Sequence, residues 1–213
     1  MNISLRLKTI AGMVRFYTLA DVGTDHALLP VYLYQTGLIS SAAACDVNKG
    51  PLERAKETIA QNGLGGIIET RLGSGLEPLD IGEFETLVIA GMGGTLITQL
   101  LFARLETAKS FKQILLQPQR NFYDLRMFLL SNGFSIINEE LLIDSGIFYF
   151  IIEAEPGKSE TYNESEVTFG KFVPYKNHDI FQQYIASEIN KLEHVAFKDE
   201  TKHYLELCRA NLK

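Results

Sequence analysis

The chain has 213 residues and a net charge of −6, with 46% apolar and 22% charged residues. This composition supports one sizeable α/β core with a small appendage and excludes wholesale disorder. The two cysteines form no disulfide framework, no Cys/His spacing resembles a zinc site, and neither a signal peptide nor an apolar run of about 18 residues is visible. We therefore expect a cytoplasmic protein with no metal and no membrane contact, a monomer or weak dimer, whose acidic charge argues weakly against a large nucleic-acid surface.

Short apolar or β-branched runs alternate with helical stretches through the first three-quarters of the chain. Strands are predicted at residues 18–22, 41–47, 67–72, 86–90 and 111–116. Helices are predicted from Pro51 to Asn62-Gly63, over residues 95–107 and over residues 121–130. Alternation of this kind implies a parallel sheet with helices on both faces.

The pattern changes after residue 133. Residues 134–143 and 147–155 are two strand-like runs separated by Asp144-Ser145-Gly146, which predicts an antiparallel hairpin. A seven-stranded Rossmann-like sheet whose last pair is antiparallel is characteristic of methyltransferases, and we assign it to residues 1–156.

The remaining residues, 157–213, are predicted to form a linker and a small C-terminal helical domain. Residues 157–166 are polar, and the sequence is helical and charged from Ile180 onward. Apolar residues spaced by about 3.5 positions predict a helical hairpin or a short coiled coil: Ile185, Ile189, Leu192 and Ala196. This segment either caps the larger domain or binds a partner or RNA.

The turn after the first strand reads Asp21-Val22-Gly23-Thr24-Asp25-His26-Ala27, in the cofactor-binding position of doubly wound folds. Asp25 stands where the second glycine of a dinucleotide-binding turn is expected. Two carboxylates would repel a pyrophosphate, which disfavours NAD and FAD, whereas a ligand with an ammonium and a sulfonium, such as S-adenosylmethionine, is favoured. The alternative is that Asp25 only caps the next helix.

Three further segments follow strand ends. Asp46, about 20–25 residues after the glycine turn, is placed to accept hydrogen bonds from ribose hydroxyls. Gly73-Ser74-Gly75 leaves room for a flat adenine, unless it is a plain turn. Ile89-Ala90-Gly91-Met92-Gly93-Gly94 removes side-chain bulk where ligands of open α/β folds bind, unless the glycines only allow the next helix to pack closely.

These segments, in this order, resemble the TrmK family of bacterial tRNA methyltransferases, which modify N1 of adenine 22. The resemblance covers about residues 3–175 and rests most on Asp25-His26-Ala27-x-Leu29-Pro30 and Ala90-Gly91-Met92-Gly93-Gly94. It extends over shorter motifs: Ser4-x-Arg6-Leu7, Gly50-Pro51, Leu115-Leu116-Gln117-Pro118, Leu125-Arg126, Asn132-Gly133-Phe134 and Phe169-Gly170. It implies a class I S-adenosylmethionine-binding domain and C-terminal, often coiled-coil-like helices that help to hold tRNA. The chain departs from the family in having Leu28 where Tyr is common, Ser74 where Asp is common, and a shorter segment after Gly170.

The site residues follow from these patterns. N1 of adenine has an in-plane lone pair and no proton to lose, so the reaction needs alignment more than a general base, and the base must leave its pair. We expect Asp25, or main-chain carbonyls from Ala90 to Met92, to accept from the exocyclic amino group. His26 is either an orienting or contacting group there or a simple residue of the helix turn. The predicted cofactor-binding residues are Asp21, Gly23, Thr24, Asp46, Val47, Gly73, Ser74, Gly75, Ala90 and Gly91. The predicted RNA phosphate contacts are Arg6, Lys8, Arg120 and Arg126, with Arg15 a further candidate.

Two other functions stay open. One is a methyltransferase that acts on another RNA site, a protein or a small molecule. The other is a non-catalytic module that keeps the fold and binds the cofactor. A nucleotide-dependent dehydrogenase is disfavoured by the two carboxylates at the turn.

Overall fold

Seven strands form one sheet in the order β3-β2-β1-β4-β5-β7-β6 in the computed structural model, which describes residues 1–193 and 199–212. Strands β1 to β5 are mutually parallel, and β7 runs antiparallel to both β5 and β6. This confirms the predicted Rossmann-like sheet with an antiparallel pair at its end. The strand bounds are β1 Thr18–Val22, β2 Ser41–Asp46, β3 Ile68–Leu72, β4 Thr86–Met92, β5 Gln113–Pro118, β6 Phe134–Asp144 and β7 Ile147–Pro156.

Helices cover both faces of this sheet because its central strands alternate apolar side chains between two sides. Leu87 and Ile89 of β4 belong to one buried cluster, and Val88 belongs to the other. The first cluster is covered by α4 (Gly94–Ala103), α5 (Leu105–Lys109) and α6 (Phe122–Ser131). The second is covered by α1 (Leu5–Met13), α2 (Leu28–Gln35) and α3 (Lys49–Gln61).

The structure corrects several predicted boundaries. The helix predicted over residues 95–107 is two helices, because Arg104 (φ −134°, ψ 51°) interrupts the helical backbone between α4 and α5. The predicted linker contains the start of α7, since Asn163 and Glu166 form a capping box with reciprocal side-chain to main-chain hydrogen bonds. The predicted hairpin turn is present, and Ser145 and Gly146 both have positive φ values, as a two-residue turn between twisted strands requires.

The C-terminal helices pack directly on the β6–β7 end of the sheet. They are α7 (Glu164–Phe169), α8 (Val173–Lys176), α9 (His178–Leu192) and α10 (Asp199–Asn211). Phe181, Ile185 and Cys208 share a buried cluster with Leu141 and Phe150 of the sheet. The helices therefore form a capping layer, and the predicted apolar position Ala196 lies outside the described residues.

A buried ion pair holds this layer in place. The Nε of Arg126 on α6 lies 2.7 Å from Oε1 of Glu139 on β6, and both side chains are fully buried. Arg126 also donates to the carbonyl of Thr168, at 3.0 Å, and the other oxygen of Glu139 accepts from the Lys171 amide at 2.7 Å. A Cβ on Gly170 would stand 2.7 Å from that oxygen. The prediction that Arg126 contacts phosphate is therefore wrong, because no face of its side chain is open to RNA.

No helix within the described residues is long and apolar enough to cross a membrane. The same residues contain no group of three or more His, Cys, Asp or Glu side chains arranged to hold a metal ion.

Candidate active site

A cavity of about 150 Å³ opens at the carboxyl ends of β1 and β4. Ligands of open α/β sheets bind at this edge. The cavity is lined by Arg6, Leu7, Asp21, Gly23, Thr24, Asp25, Leu28, Leu29 and Ala90. The structure thus brings together residues predicted from the first glycine turn and from the glycine-rich segment after β4.

Asp21 supplies a buried carboxylate at the end of β1. Burial raises the pKa of Asp21 to about 6, against the opposing effects of the Thr24 hydroxyl and the Arg6 guanidinium. The negative charge of Asp46 raises this pKa further, so the predicted acids at the ends of β1 and β2 act on one another. A ligand with positive charge relieves this arrangement, whereas a phosphate aggravates it.

The glycine turn holds main chain close to two neighbours. The amides of Gly23 and Thr24 donate to the Cys45 carbonyl at 2.8 and 3.0 Å. Gly23 has a left-handed φ of +78°, and a Cβ there would come 2.0 Å from Cε of Met92. The backbone conformation therefore favours glycine at this position, and the flexible end of the Met92 side chain, which lies over the turn, would have to move to admit a Cβ.

Asp25 and His26 occupy a strained stretch between β1 and α2. His26 and Ala27 have φ values of 63° and 51°, a left-handed conformation that is unfavourable for residues with a Cβ. The exposed Asp25 carboxylate lies 3.0 Å from Nη2 of Arg54 on α3 and 3.5 Å from Nε2 of His26. Asp25 borders the cavity with a cationic partner, Arg54, that the sequence patterns do not identify. The roles predicted for Asp25 and His26 stay predictions.

The glycines of the segment after β4 have different structural reasons. Gly91, with φ +82°, lies at a β-bulge where the β4–β5 register shifts. At Gly94, by contrast, a Cβ would stand 2.4 Å from the Asn121 carbonyl oxygen, so this glycine is needed for close packing. The Met92 carbonyl already accepts from the Gln119 amide at 2.8 Å. A carbonyl oxygen has a second lone pair, so the acceptor role expected of the main chain from Ala90 to Met92 stays a prediction.

The ends of β2 and β3 lie beside each other. Asp46 is half-buried and pairs with Leu72 across the two strands, and the Gly73 amide donates to the Asp46 carbonyl at 3.1 Å. Val47 and Leu72 are exposed apolar side chains at 61% and 53% of their surface. Such residues at a ligand-binding edge form a surface on which a flat ring can lie.

Glycines 73 and 75 have neighbours within the protein. A Cβ on Gly73 would stand 2.9 Å from Cδ of Pro78, and one on Gly75 would stand 2.7 Å from a methyl carbon of Leu100. Ser74 between them is exposed, and its amide donates to Glu77 at 3.2 Å. Packing explains both glycines, and contact of all three residues with an adenine stays a prediction.

Arg6 lies in the cavity wall and is half-buried, and its predicted contact with an RNA phosphate stays a prediction. Its guanidinium donates from Nη1 to Oε1 of Gln117 at 2.7 Å and lies 5.5 Å from the centre of the Tyr149 ring. The same Gln117 oxygen accepts from the Gly91 amide at 3.1 Å. Gln117 is fully buried, and a polar side chain directly after the apolar run Ile114–Leu116 is the signal in the sequence that this residue has hydrogen-bond partners inside the protein.

The other predicted RNA contacts differ in position. Lys8 on α1 and Arg120 after β5 are exposed and form no ion pair among the described residues. Nε of Arg120 lies 3.4 Å from the place that a Cβ on Gly93 would occupy, so this cation lies beside the glycine-rich segment. Arg15 precedes β1 at the opposite edge of the sheet, where its Nε pairs with Glu153 at 2.9 Å. Arg15 is therefore not a candidate contact at this site.

Comparisons with known proteins agree with this geometry. The family model described as TrmK, tRNA (adenine(22)-N(1))-methyltransferase, matches residues 19–210. The tRNA (adenine(22)-N(1))-methyltransferase of Bacillus subtilis (strain 168) is 33% identical over 175 residues, which cover 81% of this chain and 74% of the relative. The Streptococcus pneumoniae protein Sp1610, crystallised with S-adenosyl-L-methionine, is 33% identical with a TM-score of 0.94, and the match covers 100% of both chains. TrmK of M. capricolum, in complex with S-adenosyl-homocysteine, is 26% identical with a TM-score of 0.83, covering 98% of this chain and 96% of that one.

Proposed function

The chain belongs to the TrmK family of tRNA (adenine(22)-N(1))-methyltransferases, and on that premise we propose which of its residues bind the cofactor and which bind the tRNA. The protein is an S-adenosylmethionine-dependent enzyme that methylates N1 of adenine 22 in tRNA. The observation that carries the assignment of residues is the cavity between β1 and β4, with its buried Asp21 carboxylate. The tRNA substrate supports a cytoplasmic location, and a monomer or weak dimer stays a prediction.

The chemistry of the cavity fits S-adenosylmethionine. Asp21 and the nearby Asp46 favour a cationic ligand, because each would repel the phosphates of a dinucleotide. We assign Asp21 to the ammonium group, Asp46 to the ribose hydroxyls, and the exposed side chains of Val47 and Leu72 to the adenine ring. Gly23 and Thr24 line the cavity, and the end of the Met92 side chain lies over residue 23, where the absence of a Cβ leaves it room.

The remaining residues act on the tRNA base. When bound, S-adenosylmethionine supplies an electrophilic methyl group, which N1 takes with its own lone pair while the electrons of the broken bond stay on sulfur. The base becomes cationic, so an acceptor aimed at its exocyclic amino group stabilises the product-like state. We assign this acceptor to Asp25, or to the main chain from Ala90 to Met92. Arg120, which lies beside the glycine-rich segment, and the exposed Lys8 of α1 are assigned to tRNA phosphates.

The test follows methyl transfer to defined RNA. An unmodified tRNA transcript with adenine at position 22, and a matched transcript with guanine there, are incubated with the protein and methyl-labelled S-adenosylmethionine. We expect label in N1-methyladenosine from the first transcript and none from the second. The Asp21→Asn variant should lose cofactor affinity and transfer together. Label in both transcripts, in protein or in a small molecule would contradict the adenine 22 assignment, and cofactor binding with no transfer to any acceptor would favour a non-catalytic module.

A further inference from the structure

Hydrogen bonds at the start of α1 hold the main chain of Arg6 in position. Its main-chain amide donates to Oδ2 of Asp144 at 3.0 Å, a bond that also lowers the pKa of Asp144. Ser4 caps α1, its hydroxyl accepting from the Leu7 amide at 3.3 Å. These bonds tie the first turn of α1 to the β6–β7 hairpin turn, so the Arg6 side chain is carried across the carboxyl edge of the sheet.

The guanidinium of Arg6 has capacity for a further anionic partner. It is half-buried, donates to the neutral Gln117 side chain and lies over the Tyr149 ring, but it forms no ion pair with a carboxylate among the described residues. Most of the chain's other arginines do form such pairs: Arg15, Arg54, Arg71, Arg126 and Arg209. A guanidinium presents five N–H donors in a fork that suits a carboxylate.

The cavity has one cationic wall and one anionic wall. Arg6 and Asp21 both line it, and they are close enough for the positive charge of Arg6 to lower the pKa of Asp21. An α-amino acid group carries an ammonium and a carboxylate on a single carbon, so two opposite charges facing one small space are complementary to it. A phosphate carries negative charge without a positive group, and it would be repelled by Asp21 and Asp144.

We propose that Arg6 is a positioning residue for the cofactor: it binds the α-carboxylate of the methionine part of S-adenosylmethionine, opposite Asp21, which takes the α-ammonium. The proposal rests on the proposed function of the cavity. It replaces the expected contact of Arg6 with tRNA. Because Oε1 of Gln117 accepts from both Arg6 and the Gly91 amide, the residue that binds the carboxylate is coupled to the segment that faces the base.

A double-mutant cycle tests the proposal through binding alone. Affinities of the wild type and Arg6→Ala are measured by calorimetry for S-adenosylmethionine and for decarboxylated S-adenosylmethionine, which keeps the ammonium and the sulfonium. We expect Arg6→Ala to weaken S-adenosylmethionine roughly 10- to 100-fold and the decarboxylated ligand less than about twofold. Arg6→Lys, which keeps the charge without the fork, should fall between them and serves if Arg6→Ala does not fold.

Matched controls separate the possible failures. Arg104→Ala removes an exposed arginine outside the cavity and should leave both affinities unchanged. Equal weakening of both ligands by Arg6→Ala, or weakening of tRNA binding with the cofactor unaffected, would overturn the carboxylate role. If the wild type binds neither ligand, the proposed function itself fails, whereas tRNA methylation by a wild type that shows no coupling at Arg6 rejects this inference only.

Discussion

Replacing Asp21 with Asn should stabilise the empty protein while weakening its cofactor binding. Burial raises the pKa of Asp21 from 3.8 to about 6. This rise corresponds to about 3 kcal/mol by which the native state disfavours the ionised carboxylate relative to the unfolded chain. Asn has nearly the same shape and no charge, so the substitution removes that penalty.

The effect has a defined dependence on pH. Because the native pKa lies above the unfolded one, the native state binds the proton more tightly, and the penalty is absent below pH 3.8. It grows as the pH rises from 3.8 to about 6 and is complete above that range. We therefore expect Asp21→Asn to increase the free energy of unfolding by up to about 3 kcal/mol at pH 8 and by little at pH 4.

Urea denaturation of the wild type and the variant, at intervals from pH 4 to pH 8, measures this difference. The exposed Asp80 lies outside the cavity, so Asp80→Asn is a control that should show no pH-dependent gain. Calorimetry at pH 7.5 should show that Asp21→Asn binds S-adenosylmethionine roughly 10- to 100-fold more weakly. A gain in stability that does not change with pH, or unchanged cofactor affinity, would refute the reasoning.

Three further substitutions test other parts of the structure. Arg126→Ala leaves Glu139 buried without its partner and should lower the free energy of unfolding by about 3–5 kcal/mol in urea denaturation; a loss below about 1 kcal/mol would contradict a buried anchor. Gly23→Ala should destabilise the chain by about 1–3 kcal/mol, and adding Met92→Ala should recover part of this loss; identical stability of the single and double variants would exclude the predicted collision. Asp25→Asn should lower the rate of tRNA methylation about 100-fold with little change in cofactor affinity, measured by single-turnover transfer and calorimetry; near wild-type transfer would eliminate its role as the acceptor.

Much of the fold could be predicted because the strand signals are local. The run Thr18–Val22 and the paired runs before and after Ser145-Gly146 are bounded by turn residues, and their positions in the structure are as predicted or within a residue. The parallel topology then brings the ends of β1, β2 and β4 to one edge, which is why Asp21 and Asp46 interact. The start of α7 was not predicted, although Asn163 followed three positions later by Glu166 is a capping-box pattern within the segment assigned to the linker.

Side-chain partners could not be predicted in the same way. Arg6 and Arg126 both lie in family-like motifs, and from the sequence alone both were predicted to contact RNA phosphates. Their environments are decided by contacts over long separations: Gln117 is 111 positions from Arg6, and the carbonyl of Thr168 is 42 positions from Arg126. Burial turns one arginine into part of the packing and leaves the other in a cavity wall, and no local pattern distinguishes them.

The edge of the sheet that carries the site is also where the chain accepts unfavourable backbone and electrostatic energy. His26, Ala27 and Asn121 have left-handed φ values although each has a Cβ, and they follow β1 and β5 at this edge. Such residues cost on the order of 1 kcal/mol or more each, and the buried charge of Asp21 adds to that cost. Close packing offsets it, as at Gly94, whose amide donates to the Arg120 carbonyl at 2.8 Å directly before Asn121. The glycine-rich segment therefore holds the strained loop after β5 in place, so variants that relax this edge should gain stability and lose cofactor or tRNA binding.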